Sequence, residues 1–397
     1  MKLNACILIF LVTVNITAVL ANDLSEQLVF SKEVDLLGKH YSPIVLSQDN
    51  RKIIVLKELQ GRVMSGTALG DNHKGFGWFH YRYLSGEHCD KNAVMGGASR
   101  LWFGPDASKF SLFFESGSEP VPENIRVPES ISTIPFDVVK QTDSEVVFKK
   151  ELKLKNYQNT LFNFELQRDI ALLDQSSVEK MLSITVPNQL NWLGYRARTK
   201  VKNIGNTSWQ KQTGLFSIWE LGAFYPTDHT TVIIPLVKPL TKATRYFSDI
   251  KESHTKIIGN TLFYKADANY MNKIGVPPEH TKPIMASYDD VRQLLTLVIF
   301  TMTSDKSATY VNGVWEFGDK PYGGEIINIF NDGPDESGVP FGPFYEMETS
   351  SIALMLSPQQ SYQHQHTTIH FQGSELALNQ ITTQLLGQSI TTIKSVF

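Results

Sequence analysis

The sequence of 397 residues predicts an all-β protein, one large antiparallel β-sandwich with long loops and little helix. Three observations predict it. Apolar and polar residues alternate with a period of two in most structured segments, as a half-buried strand requires. Val, Ile, Phe and Thr dominate those segments. Gly, Pro, Asn and Asp cluster between them as turn residues.

Taken in order, the expected strands include RKIIVLKEL (51–59), SLFFES (111–116), SEVVFKKELKL (144–154), TTVIIPLV (230–237) and QLLTLVIFTMT (293–303). SGEH, GPDAS, NIGNTS and NDGPDESGVPFGP punctuate them as turns. The Pro/Glu/Ser stretch at 116–135 reads as a long loop and is the one candidate boundary. QHQHTTIHFQ, near the C-terminus, reads as a final strand. Helical periodicity is confined to SELALNQITTQLLG (374–387), which closes on a glycine as helices often do. With no internal repeat, low-complexity tract or charged linker, residues 22–397 are expected to form a single domain.

The opening MKLNACILIFLVTVNITAVLAN has a basic Lys2, a short apolar run and small residues ending at Ala21. Residues 1–21 therefore read as a secretory signal peptide, and the mature chain as periplasmic or secreted. No later stretch reaches transmembrane length. Cys89 is then the only remaining cysteine, which excludes an internal disulfide and a cysteine-based zinc site. A formal net charge of −3 without a Lys/Arg stripe argues against a nucleic-acid partner.

The segment FYEMETSSIALMLSPQQSYQHQHTTIHFQG (344–373) concentrates the chemistry. Glu346 and Glu348 are two apart, so on a strand they share a face at about 7 Å. Such a pair can divide acid and base work, or Glu346 can simply set the field around Glu348. His364, His366 and His370 share one parity, while Ile369 and Phe371, which read as core, take the other. The histidines are therefore expected to project into solvent or a cleft. His364 and His366 form a His-x-His candidate for one divalent metal ion, with Glu348 or His370 completing the shell. Equally, the imidazoles can serve as acid or base, or line a wet groove. Asn331 and Asp332, in FNDGP, read as turn residues. His229 is a spare acid candidate. P-loop, nucleophile-elbow, HExxH and dinucleotide-binding fingerprints are missing from the sequence.

Three patches carry a resemblance. LQGRVMSGTALG (59–70) with NAVMGGASRLWFGPD (92–106), TGLFSIWELGAFYPTDHTTVIIPL (213–236) and the closing segment above are similar to the galactose-mutarotase-like supersandwich proteins. Within them, FNDGP (330–334) and HQHTTIHF (364–371) resemble a group of bacterial secreted proteins carried as a domain of unknown function. The sequence departs from that group at Thr367, where an arginine is expected, and at LSPQQSY, which lacks a Pro-Gly turn. The resemblance implies a large β-supersandwich. It also implies that Glu348, followed by Thr349, holds the place of the catalytic base in aldose-1-epimerases, and that Arg100 contacts a sugar. Trp102 and Trp219 offer flat faces for sugar rings or, as commonly, fill a core. His370 is a candidate substrate contact beside His364 and His366, whose imidazoles would bind sugar hydroxyls.

Together these readings predict a protein acting on a sugar or polysaccharide, of epimerase, lyase or hydrolase type, with Glu348 as base. A carbohydrate-binding protein without chemistry is the second reading. A structural accessory subunit, its cleft filled by its own loops, is the third.

Overall fold

A computed structural model describes residues 27–84, 95–246, 248–314, 320–334, 338 and 340–397. The segment 1–21, which the sequence suggests as a signal peptide, and Cys89 lie outside the described residues.

Three antiparallel sheets build the molecule. The largest has ten strands in the order β12 (Thr255–Ile258), β13 (Thr261–Lys265), β10 (Thr230–Pro235), β15 (Ile284–Asp289), β16 (Leu294–Phe300), β19 (Ser361–Gln372), β8 (Asn191–Asn203), β7 (Leu161–Leu172), β6 (Glu145–Lys155) and β5 (Asp137–Gln141). The second has six, in the order β11 (Thr244–Arg245), β14 (Asn272–Val276), β17 (Ile327–Asn331), β18 (Tyr345–Ser350), β9 (Ser217–Phe224) and β4 (Arg100–Gly104). A third sheet pairs β1 (Ile44–Gln48), β2 (Arg51–Leu56) and β3 (Arg62–Thr67). The strong alternation of the sequence is what makes these strands: along β7, Phe162, Phe164, Leu166 and Ile170 are buried between more exposed neighbours.

The ten- and six-stranded sheets face each other across the main core. Phe148, Phe164, Tyr195 and Val298 enter it from one sheet, and Phe103, Ile218, Ile329 and Met347 from the other. An edge-to-face contact of Phe103 with Phe164 (5.8 Å) ties the layers together. The opposite face of the ten-stranded sheet is also covered. There Leu295, Leu297, Ile369 and Phe371 pack against Leu378, Ile381, Ile390 and Ile393 from two C-terminal helices. The first of these, Glu375–Leu386, is the helix the sequence predicts; Ser374 caps it, and Gly387 ends it at φ 68°.

Three other helices among the described residues were not expected, the shortest being Tyr81–Leu84. Phe30–Leu37 packs Phe30 and Leu37 onto β2 and β3 residues, and Gln175–Leu182 begins where Asp174 accepts a hydrogen bond from Ser177 N at 2.7 Å. A correction concerns SLFFES, which is not a strand. Its Leu112, Phe113 and Phe114 are buried, but Ser111 turns the backbone by accepting from Phe113 N (3.0 Å), so the rings pack without joining a ladder. Among the described residues, no helix is long and apolar enough to cross a membrane.

Candidate functional site

Strand parity builds the site on the outer face of the six-stranded sheet, the face turned away from the main core. In β18, Tyr345 and Met347 enter the core, so Glu346 and Glu348 point outward. In β4, Leu101 and Phe103 point in, which sends Arg100 and Trp102 out. In β14, Ile274 and Val276 point in and Lys273 out. Register then aligns Arg100, Leu221, Glu348, Asn328 and Gly275 as one row across five strands.

Glu348 is the centre of this face. It is 0% exposed, and its Oε2 accepts from Trp219 Nε1 (3.0 Å) and pairs with Lys273 Nζ at 2.9 Å. Oε1 has no partner among the described residues. Burial pushes the Glu348 carboxyl up to about 7; the Lys273 charge opposes that shift and the Glu346 charge adds to it. Lys273 itself lies over the rings of Trp219 (4.2 Å) and Tyr246 (5.2 Å). Tyr246 donates to Glu325 Oε2 (2.8 Å) and accepts from Asn328 Nδ2 (2.6 Å). Gly275 is required beneath them, because a Cβ there would meet Glu325 Cγ at 2.6 Å and Asn328 Nδ2 at 2.8 Å.

Glu346 pairs with Arg100 Nη2 at 3.2 Å, and the Arg100 guanidinium lies 5.4 Å from the Trp102 ring. Trp102 donates to Asp106 Oδ1 (2.8 Å) and stacks on Phe113 at 4.5 Å, which is where SLFFES places its aromatic residues. At the other end, Trp78 stacks on Phe344 (4.1 Å) and joins Ala223 and Phe330 in a small apolar cluster. The charged residues thus sit between two aromatic clusters. A carboxyl titrating near neutrality in such a face can accept and release a proton.

The sequence-predicted site residues divide into two groups. Glu346, Glu348, Arg100, Trp102 and Trp219 come together on the outer face, although Trp219 is only 4% exposed and lends its ring to Lys273. His364, His366 and His370 do not reach that face. They share a side of β19, as parity requires, but that side is the main core, and all three are buried. The expectation of a solvent-facing or cleft-lining histidine face is therefore corrected: both faces of β19 are covered, one by the second sheet and the other by the C-terminal helices.

The His-x-His pair has a hydroxyl, not a third metal ligand, at its centre. His364 Nε2 and His366 Nδ1 converge on the hydroxyl of Thr349, each at 2.9 Å, and no cluster of three His, Cys, Asp or Glu is suited to a metal among the described residues. His370 pairs through Nδ1 with Thr296 Oγ1 (2.9 Å) and stacks on Phe76 at 4.5 Å. Burial lowers each of the three imidazoles to about 3, so they are neutral.

Thr349 belongs to a polar layer inside the core. Arg168, Thr199 and His364 are cross-strand neighbours in one sheet, and Glu220 and Thr349 in the other. Arg168 pairs bidentately with Glu220, whose carboxylate also accepts from Thr199 Oγ1 (2.8 Å). Asn331 ends β17 rather than sitting in a turn, and both residues hold neighbouring loops: Asn331 accepts from Ala268 N (2.9 Å), and Asp332 from Gly342 N (2.7 Å). Lys273, Tyr246, Asn328, Glu325 and Asp106 were missed. Alternation alone could have turned Lys273 away from Ile274 and Val276, but nothing local to it announces the strand order that brings it to Glu348.

Solved structures with a similar architecture include a galactose mutarotase-like protein from Lactobacillus casei, 14% identical, covering 83% of this chain and 100% of its own, with a TM-score of 0.49. A galactose mutarotase-like protein from Clostridium acetobutylicum is 12% identical over 85% of this chain and 96% of its own, at 0.48. A galactose mutarotase related enzyme from Lactobacillus acidophilus is 11% identical over 84% and 98%, at 0.45. The likeness is one of β-sandwich architecture. No curated protein matches the chain in sequence. The family of unknown function DUF6786 matches residues 28–397, nearly the whole chain, and this protein belongs to that family.

Proposed function

We propose that this is an extracytoplasmic carbohydrate-active protein that takes a sugar or glycan on the outer face of its six-stranded sheet, with Glu348 as general base. The observation that carries the reading is the state of Glu348. Burial and the neighbouring Glu346 hold its carboxyl at about 7, where a group both accepts and releases protons readily at neutral pH. Arg100 and Trp102, half-buried on the same face, supply the fork and the flat surface that sugars use. The extracytoplasmic part of the proposal rests on the leader-like pattern of residues 1–21.

A second reading, a carbohydrate-binding protein without chemistry, is favoured by the two ion pairs. Both carboxylates are engaged, Glu346 by Arg100 and Glu348 by Lys273. One experiment separates the two: a screen of oligosaccharides and polysaccharides that records binding and product formation in the same samples, run on wild type and Glu348→Gln. Products that vanish in the variant support the enzyme. Binding that produces nothing in either supports the binder, and neither binding nor product removes the carbohydrate reading.

A further inference from the structure

The pairing of Lys273 with Glu348 has a consequence for the ligand. A base that is 0% exposed and ion-paired cannot touch a sugar until something moves. Of the groups around it, Trp219 is fixed in the ladder by Trp102 and Ser350, and Tyr246 is held at its hydroxyl by Glu325 and Asn328. Lys273 is held only at its charged head, by Glu348 and two ring faces, on a stem with four rotatable carbons. Its side chain is 10% exposed, so the latch is not sealed from solvent. Moving it costs an ion pair unless the arriving ligand offers the ammonium another anion.

We propose that Lys273 is a latch over Glu348, and that the ligand of this face is an anionic sugar, carboxylated or sulfated, whose negative group draws Lys273 away and uncovers Glu348. This rests on the carbohydrate reading above and narrows it to a substrate class. A neutral sugar provides no replacement partner and leaves the latch closed. Arg100, already paired with Glu346, flanks the entry as a second cation. The unpartnered Oε1 of Glu348 is the oxygen that the uncovered carboxyl presents, and it exchanges a proton with the ligand in either direction.

The charged and titratable groups around Glu348 are Lys273, Glu346, Asp106, Arg100, Tyr246 and Glu325. Of these, Lys273 holds the Glu348 carboxyl down, while Glu346 and Asp106 push it up. Removing Lys273 from it therefore favours the protonated form, and the latch predicts that ligand binding near pH 7 takes up protons.

The test is titration calorimetry at pH 7 in two buffers of different ionisation enthalpy. The panel holds oligouronates of galacturonate, glucuronate and mannuronate, sulfated galactose oligosaccharides, and neutral galactose, glucose and mannose oligosaccharides. The latch predicts binding of a carboxylated or a sulfated ligand with proton uptake, the two arms telling which anion serves. Lys273→Met should weaken that binding roughly tenfold or more, and Lys273→Arg should retain most of it. Glu348→Gln should tighten it, because the competitor for Lys273 is gone, and should abolish the uptake. The proton count on wild type decides the matter even if Lys273→Met does not fold. Equal affinity for the neutral counterpart, or binding without proton uptake, overturns the latch and leaves the carbohydrate reading standing. No binding of any panel member overturns both.

Discussion

The Nζ of Lys273 and the Oε2 of Glu348 are 2.9 Å apart on the outer side of the six-stranded sheet, yet they lie on non-adjacent strands. β17 runs between them, and the two side chains meet diagonally across it. One residue further along β18, Thr349 turns the other way and binds His364 and His366 inside the core. A single Glu-Thr step thus serves two environments, one on the outer face of the sheet and one joining the sheets.

Thr349 should matter for stability. Its hydroxyl hydrogen-bonds both imidazoles, so Thr349→Val strips both of that partner. A cost of about 1–3 kcal/mol is expected in denaturant unfolding, with Thr349→Ser close to wild type. A Thr349→Val protein as stable as wild type would show that the histidine contacts contribute nothing.

The Arg168–Glu220 pair, 0% exposed on both sides, should respond more strongly. Glu220→Gln leaves the Arg168 guanidinium buried without a counter-charge, and a loss of about 3–5 kcal/mol is expected. Replacing both with apolar residues of similar volume should cost much less than the single change. Equal losses from the single and double variants would argue against an uncompensated charge as the cause.

Stability should have a broad plateau between about pH 6.5 and 4.5. Burial holds His364, His366 and His370 at about 3 against an ordinary 6.5, so the unfolded chain binds more protons at these sites. Their contribution is present above pH 6.5 and is lost as pH falls toward 3. Burial also raises Glu33 to about 8 and Asp332 and Glu348 to about 7, from 4.5, 3.8 and 4.5. These three favour the folded state at low pH and lose that contribution as pH rises through 7 to 8. Between 6.5 and 4.5 the two sets oppose each other, so stability should decline on either side. Denaturant midpoints measured from pH 3 to 9 check this, and a monotonic rise across the whole range would contradict it.

Gly275→Ala should disturb the site more than the fold. The added Cβ drives Glu325 and Asn328 off Tyr246, and an overpacking cost of about 1–3 kcal/mol is expected. Ligand binding on the outer face should weaken in the same variant. Unchanged binding would place the ligand elsewhere.

Much of the fold was legible in the sequence because alternation and turn residues report strands directly, as β6, β10 and β16 show. Parity also placed Glu346 with Glu348, and the three histidines with one another. It could not say which face was solvated. Ile369 and Phe371 looked like the buried side of a two-faced strand, but the helix at 375–386 buries them from outside while the second sheet buries the histidines from inside. SLFFES was misread because local composition does not distinguish a paired strand from a buried loop. Lys273 was missed because the order β14-β17-β18 is a long-range pairing across more than 50 residues of chain, which no local pattern encodes.

The central claim is that Glu348 works on a sugar, and it is tested most directly by turnover of Glu348→Gln on a glycan that wild type converts. The amide keeps the size of the carboxyl and can still accept from Trp219, while the basic oxygen is gone. The account predicts a fall in rate of about 10²–10⁴-fold with ligand binding retained. Near-wild-type turnover by a folded Glu348→Gln protein would contradict it and remove Glu348 from the chemistry.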